Sequence, residues 1–275
     1  MGKGITRRKF LGALAAAGTL AAAGTAILGS TATSHSDSSQ SSKTSRPRRK
    51  WVMVIDLERC DGCMKCTDAC IETHLVPPAW GEPNRNGRQE WIKVYKIGED
   101  LGPPGPEGNF LPAPCMHCEN APCVKVCPVG ATYHDEDGIV LIDHDRCIGC
   151  RFCMVACPYE RRYFNWGEPH TEEERARLAF AQYSPEYPVP HRKGTVEKCM
   201  FCAHYVRYGR LPACVEACTK AGMKAIFFGD ANEDVVTNGV EVLKLSELLR
   251  SRGAFRWKEE LGTNPRVFYL PPRGR

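Results

Sequence analysis

The chain has 275 residues, of which 43% are hydrophobic and 25% are charged, a balance that indicates a folded protein of one large or two small domains. Its formal net charge is +5, but residues 1–32 hold four of the cations and no acid, so the remainder carries only about +1. A basic nucleic-acid-binding protein is therefore not indicated. The unusual feature is the count of sixteen cysteines.

The amino-terminal segment predicts export. Residues 6–11 read TRRKFL, and an uncharged Ala/Gly-rich run, residues 11–29, follows. Adjacent arginines before such a run resemble a twin-arginine signal, which exports proteins that are already folded. A permanent membrane anchor is the alternative, but a spanning helix would be richer in Leu, Ile, Val and Phe. We expect residues 1–32 to be the signal, cleaved after Ala32, and the Ser/Thr-rich residues 33–50 to be a flexible linker.

The folded part begins near Trp51. A short apolar strand precedes a cysteine-containing loop twice, at Val52–Ile55 and at Ile139–Ile142, and a short helix follows each loop, at Lys65–Thr73 and at Arg151–Cys157. These elements predict that one strand-loop-helix unit occurs twice.

Long Pro/Gly-rich segments without cysteine, 74–114 and 159–198, lie between these units, and connections of that length are usually functional or face a partner. A helix at Val242–Arg250 and a strand at Val267–Leu270 are predicted near the end of the chain. We divide the chain after its linker into a cysteine-bearing domain, 51–235, and a partner-facing helix and tail, 236–275.

The sequence repeats itself. Three pairs of segments align in the same order: Ile55–Cys63 with Ile142–Cys150, Cys115–Cys118 with Cys199–Cys202, and Cys123–Cys127 with Cys214–Cys218. The repeat predicts two similar halves, each with one compact and one looser cysteine group.

The sixteen cysteines fall into four groups of four with none left over. The groups are Cys60, Cys63, Cys66, Cys70; Cys115, Cys118, Cys123, Cys127; Cys147, Cys150, Cys153, Cys157; and Cys199, Cys202, Cys214, Cys218. Groups one and three have the C-x2-C-x2-C-x3-C spacing of bacterial ferredoxins, in which three close thiolates hold one 4Fe-4S cube and the fourth reaches a second cube. Gly62 and Gly149 let the loop bend around the cube. The spacing predicts four 4Fe-4S clusters.

Other uses of cysteine fit less well. Structural zinc prefers two separated cysteine pairs, and a third cysteine so close in groups one and three is awkward for a tetrahedron. Cysteines at i, i+3 and i+6 are a poor disulfide framework. No C-x3-C is followed by the third cysteine that a radical enzyme needs. Because clusters are assembled in the reducing cytoplasm, a chain of this kind must be exported already folded, which agrees with a twin-arginine signal.

The motifs resemble the four-cluster ferredoxin-like subunits of the complex iron-sulfur molybdoenzymes and their relatives, such as polysulfide, tetrathionate and dimethyl sulfoxide reductases. The resemblance covers residues 51–270, and it is carried by the cysteines in order and by APCVKVCPVGATY (121–133), CIGCRFCMVACPYERRYFNW (147–166), VEKCMFC (196–202) and LGTNPRVFYLPP (261–272). It implies an α+β fold of two pseudo-repeated bacterial-ferredoxin-like modules with long loop insertions.

The resemblance also implies which cysteines share a cube. Its outer pair consists of set A (Cys60, Cys63, Cys66 and Cys218) and set B (Cys199, Cys202, Cys214 and Cys70). Its inner pair consists of set C (Cys115, Cys118, Cys123 and Cys157) and set D (Cys147, Cys150, Cys153 and Cys127). Spacing alone indicates only that a crosswise pairing is reasonable.

The resemblance implies a non-catalytic subunit that relays single electrons between a quinone-linked integral membrane subunit and a molybdopterin catalytic subunit of a respiratory oxidoreductase. The resemblance and the export signal together imply that partner subunits hold this subunit at the periplasmic face of the membrane. Two alternatives stay open: the iron-sulfur subunit of the sulfite-reduction-associated complex, with haem and quinone-linked partners, or a free periplasmic carrier. His117 is expected beside a cluster and not as a ligand. Tyr159–Trp166 fits either partner contact or ordinary packing.

Overall fold

The computed structural model describes residues 48–80, 87–97 and 109–272. The predicted export signal, most of the predicted linker and parts of the first long insertion lie outside these ranges. None of the helices in the described ranges is long and apolar enough to cross a membrane.

Short helices alternate with short strands. In chain order the elements are β1 (Trp51–Asp56), α1 (Lys65–His74), β2 (Lys93–Ile97), β3 (Asn109–Ala113), α2 (Pro122–Lys125), β4 (Thr132–His134), β5 (Val140–Ile142), α3 (Phe152–Val155), β6 (Tyr163–Phe164), α4 (Glu172–Arg177), β7 (Val196–Glu197), α5 (Ala203–Val206), α6 (Ala213–Lys220), β8 (Ile226–Asp230), β9 (Val235–Thr237), β10 (Val242–Lys244), α7 (Leu245–Ser251) and β11 (Val267–Leu270). This mixture of helices and mainly antiparallel strands is compatible with the predicted α+β class.

One five-stranded sheet, in the order β10-β9-β8-β1-β11, joins the two ends of the folded chain. Strand β1 pairs antiparallel with β8 and parallel with β11. Alternate side chains of β1 pack on opposite faces, as the period of a strand requires. Val52 and Val54 pack in a small core that α7 covers, whereas Met53 and Ile55 join the core that contains the cysteines. The cysteines therefore lie on one face of the sheet, and helix α7 covers the other face.

Helices α1 and α6 pack against each other on the cysteine-bearing face of the sheet, and they carry Cys70 and Cys218. The one-turn helices α2 and α3 also contact each other, away from the sheet, and each has a cysteine, Cys123 or Cys153, within its turn. The cysteine groups are thus held on two helix pairs, one beside the sheet and one beyond it.

The structure corrects two predicted helices. The helix predicted at Arg151–Cys157 spans only Phe152–Val155, because Pro158 disfavours the α conformation at the residue before it. The segment Val242–Lys244 is not helical as predicted; it pairs with β9 as strand β10.

Helix α7 starts only at Leu245, where Asp234 accepts a hydrogen bond from the backbone N–H of Ser246 at 2.7 Å. The predicted helix Lys65–Thr73 and strand Val267–Leu270 are found with nearly the same bounds. The proposed boundary at residue 235 coincides with the start of β9, inside the sheet.

Candidate metal-cluster sites

The two compact cysteine loops have the same backbone. Gly62 and Gly149 have φ of 76° and 69°, and Met64 and Arg151, two residues further on, have φ of 64° and 63°. A side chain at Gly149 would place its Cβ 2.3 Å from the carbonyl oxygen of Gly194. Left-handed backbone at both positions curls each loop so that its cysteines point to one centre.

Set A surrounds a cavity of about 320 Å³, and all four of its cysteines line that cavity. The fourth, Cys218, comes from α6, and its Sγ accepts a hydrogen bond from the backbone N–H of Ala225 at 3.2 Å. Cys63 is exposed and Cys60 is half-buried, so this cavity lies at the surface.

Set B surrounds a second cavity of about 300 Å³, lined by all four of its cysteines. In contrast to set A, all four are buried. Cys70 reaches this cavity from α1, and the remainder of the lining is largely apolar, including Trp91 and Phe201.

Set D surrounds a third cavity, of about 320 Å³, again with all four cysteines in its lining. The fourth cysteine, Cys127, accepts a hydrogen bond from the N–H of Thr132 at 3.5 Å. Burial opposes ionisation of Cys127, but this and further backbone N–H groups outweigh it, so the pKa of Cys127 is lowered. Cys147, Cys150 and Cys127 are half-buried, which places this cavity at the surface as well.

The thiols of set C act on one another's pKa values. Burial, followed by the charges of Cys115, Cys123 and Cys157, raises the pKa of Cys118 to about 12. The four sulfurs of set C are therefore close neighbours. Three of them are buried and Cys157 is half-buried.

The four sets form a line. Cys66 of set A is close enough to raise the pKa of Cys70 and of Cys214, both in set B. Cys115 of set C does the same to Cys199 of set B. Sets C and D are joined by the contact of α2 with α3. The order is A, B, C, D, with the surface at either end and set B deepest.

The donor set suits a metal cluster. Burial is the largest cause that raises the pKa of Cys60 and of Cys66 to about 12, and it raises that of Cys214 well above its ordinary value. Thiolates this deep need a cation in place of the proton. Within the described ranges, no three His, Cys, Asp or Glu side chains are arranged to chelate a single ion. In sets A, B and D all four cysteines instead line one common space, which is the arrangement of four thiolates that a 4Fe-4S cube requires.

Two buried cationic side chains lie beside sets B, C and D. Arg162 and Lys198 are each 4% exposed. Burial disfavours the charge of Arg162, but the thiolates around it, Cys123 and Cys153 foremost, outweigh this and raise its pKa. Lys198 donates from Nζ to the carbonyl oxygens of Val140 and Cys199. Positive charge is therefore built into the protein beside sets B, C and D.

Set B has a neutral hydrogen-bonding neighbour, the imidazole of His74. His74 Nε2 lies 3.2 Å from Cys202 Sγ, and burial lowers the pKa of His74 to about 3. A neutral imidazole carries one N–H, and Nδ1 of His74 has no hydrogen-bond partner among the described residues. A metal-bound thiolate can only accept, so Nε2–H donates to it. His74 follows Cys70 by one helical turn, a spacing that could have identified it from the sequence.

His117, which we expect beside a cluster, is fully buried. Its Nδ1 accepts from the N–H of Val140 at 3.1 Å, and its ring stacks on Phe201 with centroids 3.8 Å apart. Of the segment 159–166, Tyr159, both arginines and Asn165 are buried, whereas Trp166 is 55% exposed. Packing accounts for most of this segment. Sequence reasoning missed Arg162, because nothing in ERRY distinguishes it from Arg161.

Comparison with known proteins gives the family. A family model described as a 4Fe-4S dicluster domain matches residues 59–131, and a second model with the same description matches residues 106–180. One subunit of the selenate reductase from Mesobacillus selenatarsenatis is 42% identical over 233 residues, which is 80% of this chain and 72% of that protein. The chain belongs to the iron-sulfur subunits of respiratory reductases.

Two further members show the range of this family. The iron-sulfur cluster-binding subunit of menaquinone reductase from Nitratidesulfovibrio vulgaris is 40% identical over 245 residues, 82% of this chain and 89% of that protein. A tetrathionate reductase subunit from Salmonella typhimurium is 34% identical over 225 residues, 82% of this chain and 73% of that protein. The sixteen cysteines and the two dicluster matches fit four 4Fe-4S clusters.

Proposed function

We propose that this subunit relays single electrons, through four 4Fe-4S clusters, between a quinone-linked membrane subunit and a molybdopterin catalytic subunit of a respiratory oxidoreductase. The observation that carries the proposal is the line of cysteine sets from an end with an exposed cysteine at set A, through the buried set B, to a half-buried end at set D. Such a line passes electrons through the protein without exposing the middle of the path to water. Substrate conversion belongs to the catalytic partner.

Each set holds one cube. Cys60, Cys63, Cys66 and Cys218 hold cluster A; Cys70, Cys199, Cys202 and Cys214 hold cluster B; Cys115, Cys118, Cys123 and Cys157 hold cluster C; and Cys127, Cys147, Cys150 and Cys153 hold cluster D. The matching φ angles of the two compact loops support two pseudo-repeated ferredoxin-like modules that exchange their fourth ligands. The clusters supply reversible one-electron reduction, and the protein fixes their order and surroundings.

The two ends suit different partners. Around set D, Ile148, Phe152 and Val155 are 64%, 60% and 88% exposed. Around set A, the exposed residues of the loop are Asp61, Cys63 and Lys65. Exposed apolar side chains in one patch mark a contact surface, so we assign the end at set D to the membrane subunit and the polar end at set A to the catalytic subunit.

The subunit works outside the cytoplasm, at the membrane face, and reaches it folded through the twin-arginine route. The test replaces both arginines, Arg7→Lys with Arg8→Lys, and follows the protein by cell fractionation. Export by this route predicts that the cluster-loaded protein stays in the cytoplasm of the variant. Unchanged export of the double variant would overturn this part of the proposal.

Anaerobic affinity purification from native membranes in mild detergent, with mass spectrometry of the captured proteins, tests the partners. A large molybdopterin protein together with a membrane subunit is the expected result. One other candidate is the relay between quinone-linked and haem proteins that the sequence motifs leave open, and the similarity to a subunit of a menaquinone reductase supports its quinone-linked part. Recovery of those proteins alone would establish it, and recovery of the chain alone would indicate a free carrier.

A further inference from the structure

Arg162 occupies an unusual place between sets C and D. It is buried, and the thiols that act on it most are Cys123 and Cys153, which belong to different sets, followed by Cys115 and Cys157. Thr132, whose hydroxyl accepts a hydrogen bond from Arg162, donates its own backbone N–H to Cys127 of set D. One guanidinium therefore faces the ligands of two neighbouring cubes.

The other contacts of Arg162 do not neutralise it. Nη1 donates to the hydroxyl of Thr132 at 3.3 Å, and Nη2 is buried without a hydrogen-bond partner among the described residues. None of the ion pairs formed within the described ranges includes Arg162. A buried charge without a countercharge is very costly, so the anionic clusters are the countercharge that this arginine requires.

Arg161 provides a contrast one residue away. It is also buried, at 3% exposure, but its three donor nitrogens are satisfied by neutral oxygens: the carbonyl of Tyr159 and the hydroxyls of Tyr163 and Tyr95. The two arginines have the same charge and the same depth, but they face different surroundings.

One of the charged side chains beside set A, Asp61, has the opposite sign to Arg162. Asp61, in the loop between Cys60 and Cys63, raises the pKa of both of these cysteines and of Cys218. Its side chain accepts a hydrogen bond from the N–H of Cys63 at 3.0 Å. Asp61 is exposed, so water and salt screen its effect, whereas Arg162 acts inside the protein, where charges interact more strongly.

We propose that Arg162 is a counter-cation shared by clusters C and D, which raises both of their reduction potentials above that of cluster A. Reduction adds a negative charge to a cluster, and a fixed positive charge close by stabilises the reduced form. Electrons are therefore favoured on clusters C and D, at the end that we assign to the membrane subunit. This inference rests on the proposed ligand sets.

The test measures the midpoint potentials of the clusters in the full-length, anaerobically purified protein by redox titration monitored by electron paramagnetic resonance. Arg162→Gln removes the charge and keeps a hydrogen-bond donor, Arg162→Lys keeps the charge, and Arg161→Gln removes the neighbouring buried charge. We expect two of the four potentials to fall together in Arg162→Gln, to remain near wild type in Arg162→Lys, and to stay unchanged in Arg161→Gln.

Three results would overturn the proposal: unchanged potentials in Arg162→Gln with full iron content, a fall of one potential only, or an equal fall in Arg161→Gln. If Arg162→Gln does not retain its iron, pulsed paramagnetic resonance of the unaltered protein, labelled with 15N-arginine, takes its place. A nitrogen coupling to a reduced cluster is then expected, and the absence of any coupling counts against the proposal. Failure of the four-cluster assignment on which the proposed function rests would show separately, as fewer than four clusters in the unaltered protein.

Discussion

The two ends of the cysteine line have the same sulfur geometry and different surroundings. Sets A and D each surround a cavity of about 320 Å³, and the turns in their loops have matching left-handed φ angles. Set A, however, borders a polar surface with Asp61, whereas set D borders a largely apolar surface, with Arg151 as an exposed cation of its loop, and the buried Arg162. The repeat therefore duplicates the cysteine site, and the residues around each copy differ, which is the basis of the different partner and the different potential that we propose for each end.

The largest expected effect comes from breaking the line of clusters at cluster D. Changing Cys153→Ala removes one ligand of cluster D, so that cube should be lost or converted while the other three remain. We expect the iron content to fall from about sixteen atoms per chain to about twelve if the cube is lost, or to about fifteen if it becomes a three-iron cluster, and quinol-driven turnover of the complex to be abolished. Normal turnover of this variant would contradict a single obligatory path.

A second prediction compares the glycines of the two compact loops. The Cβ of Gly149→Ala would meet the carbonyl oxygen of Gly194 at 2.3 Å, whereas that of Gly62→Ala would meet the ring of Phe110 at 2.5 Å. The backbone carbonyl of Gly194 can move aside less easily than the side-chain ring of Phe110, so the clash in Gly149→Ala is harder to relieve. We expect Gly149→Ala to lower the free energy of unfolding by about 2 to 4 kcal/mol, and Gly62→Ala by about half as much, as measured by anaerobic denaturant titration. Equal losses would contradict this distinction.

The apolar surface at set D provides a third prediction. Val155→Lys places a charge at a side chain that is 88% exposed, and Val242→Lys does the same at one that is 70% exposed on strand β10. We expect Val155→Lys to weaken binding of the membrane subunit at least about tenfold, without affecting cluster content. Pull-down from detergent-solubilised membranes measures this, with Val242→Lys as the matched control. Equal binding by both variants would reject set D as the docking end.

The smallest predicted effect concerns cluster B. The N–H of His74 donates to Cys202 and so stabilises the reduced, more negative cluster. His74→Phe keeps a ring and loses the donor, and we expect one midpoint potential to fall. His74→Gln places an amide N–H at the same reach and should restore the potential. If both variants behave alike, the ring has only a packing role.

Much of the site could be predicted from the sequence, because ligand spacing is local. The grouping of the cysteines, the bend at Gly149 and the strand at Val267–Leu270 need only neighbouring residues. Strand β10 could not be predicted in the same way, since its conformation depends on pairing with β9. Arg162 has the same limitation, because only the fold determines which of two adjacent arginines faces the clusters.

The central claim is that the chain holds four cubes on the sixteen cysteines. Its most direct test is the iron and acid-labile sulfide content of the anaerobically purified, full-length protein, with Mössbauer spectroscopy to identify the cluster type. We expect about sixteen iron and sixteen sulfide per chain, all in 4Fe-4S form. Fewer than about eight iron, or zinc in their place, would contradict it.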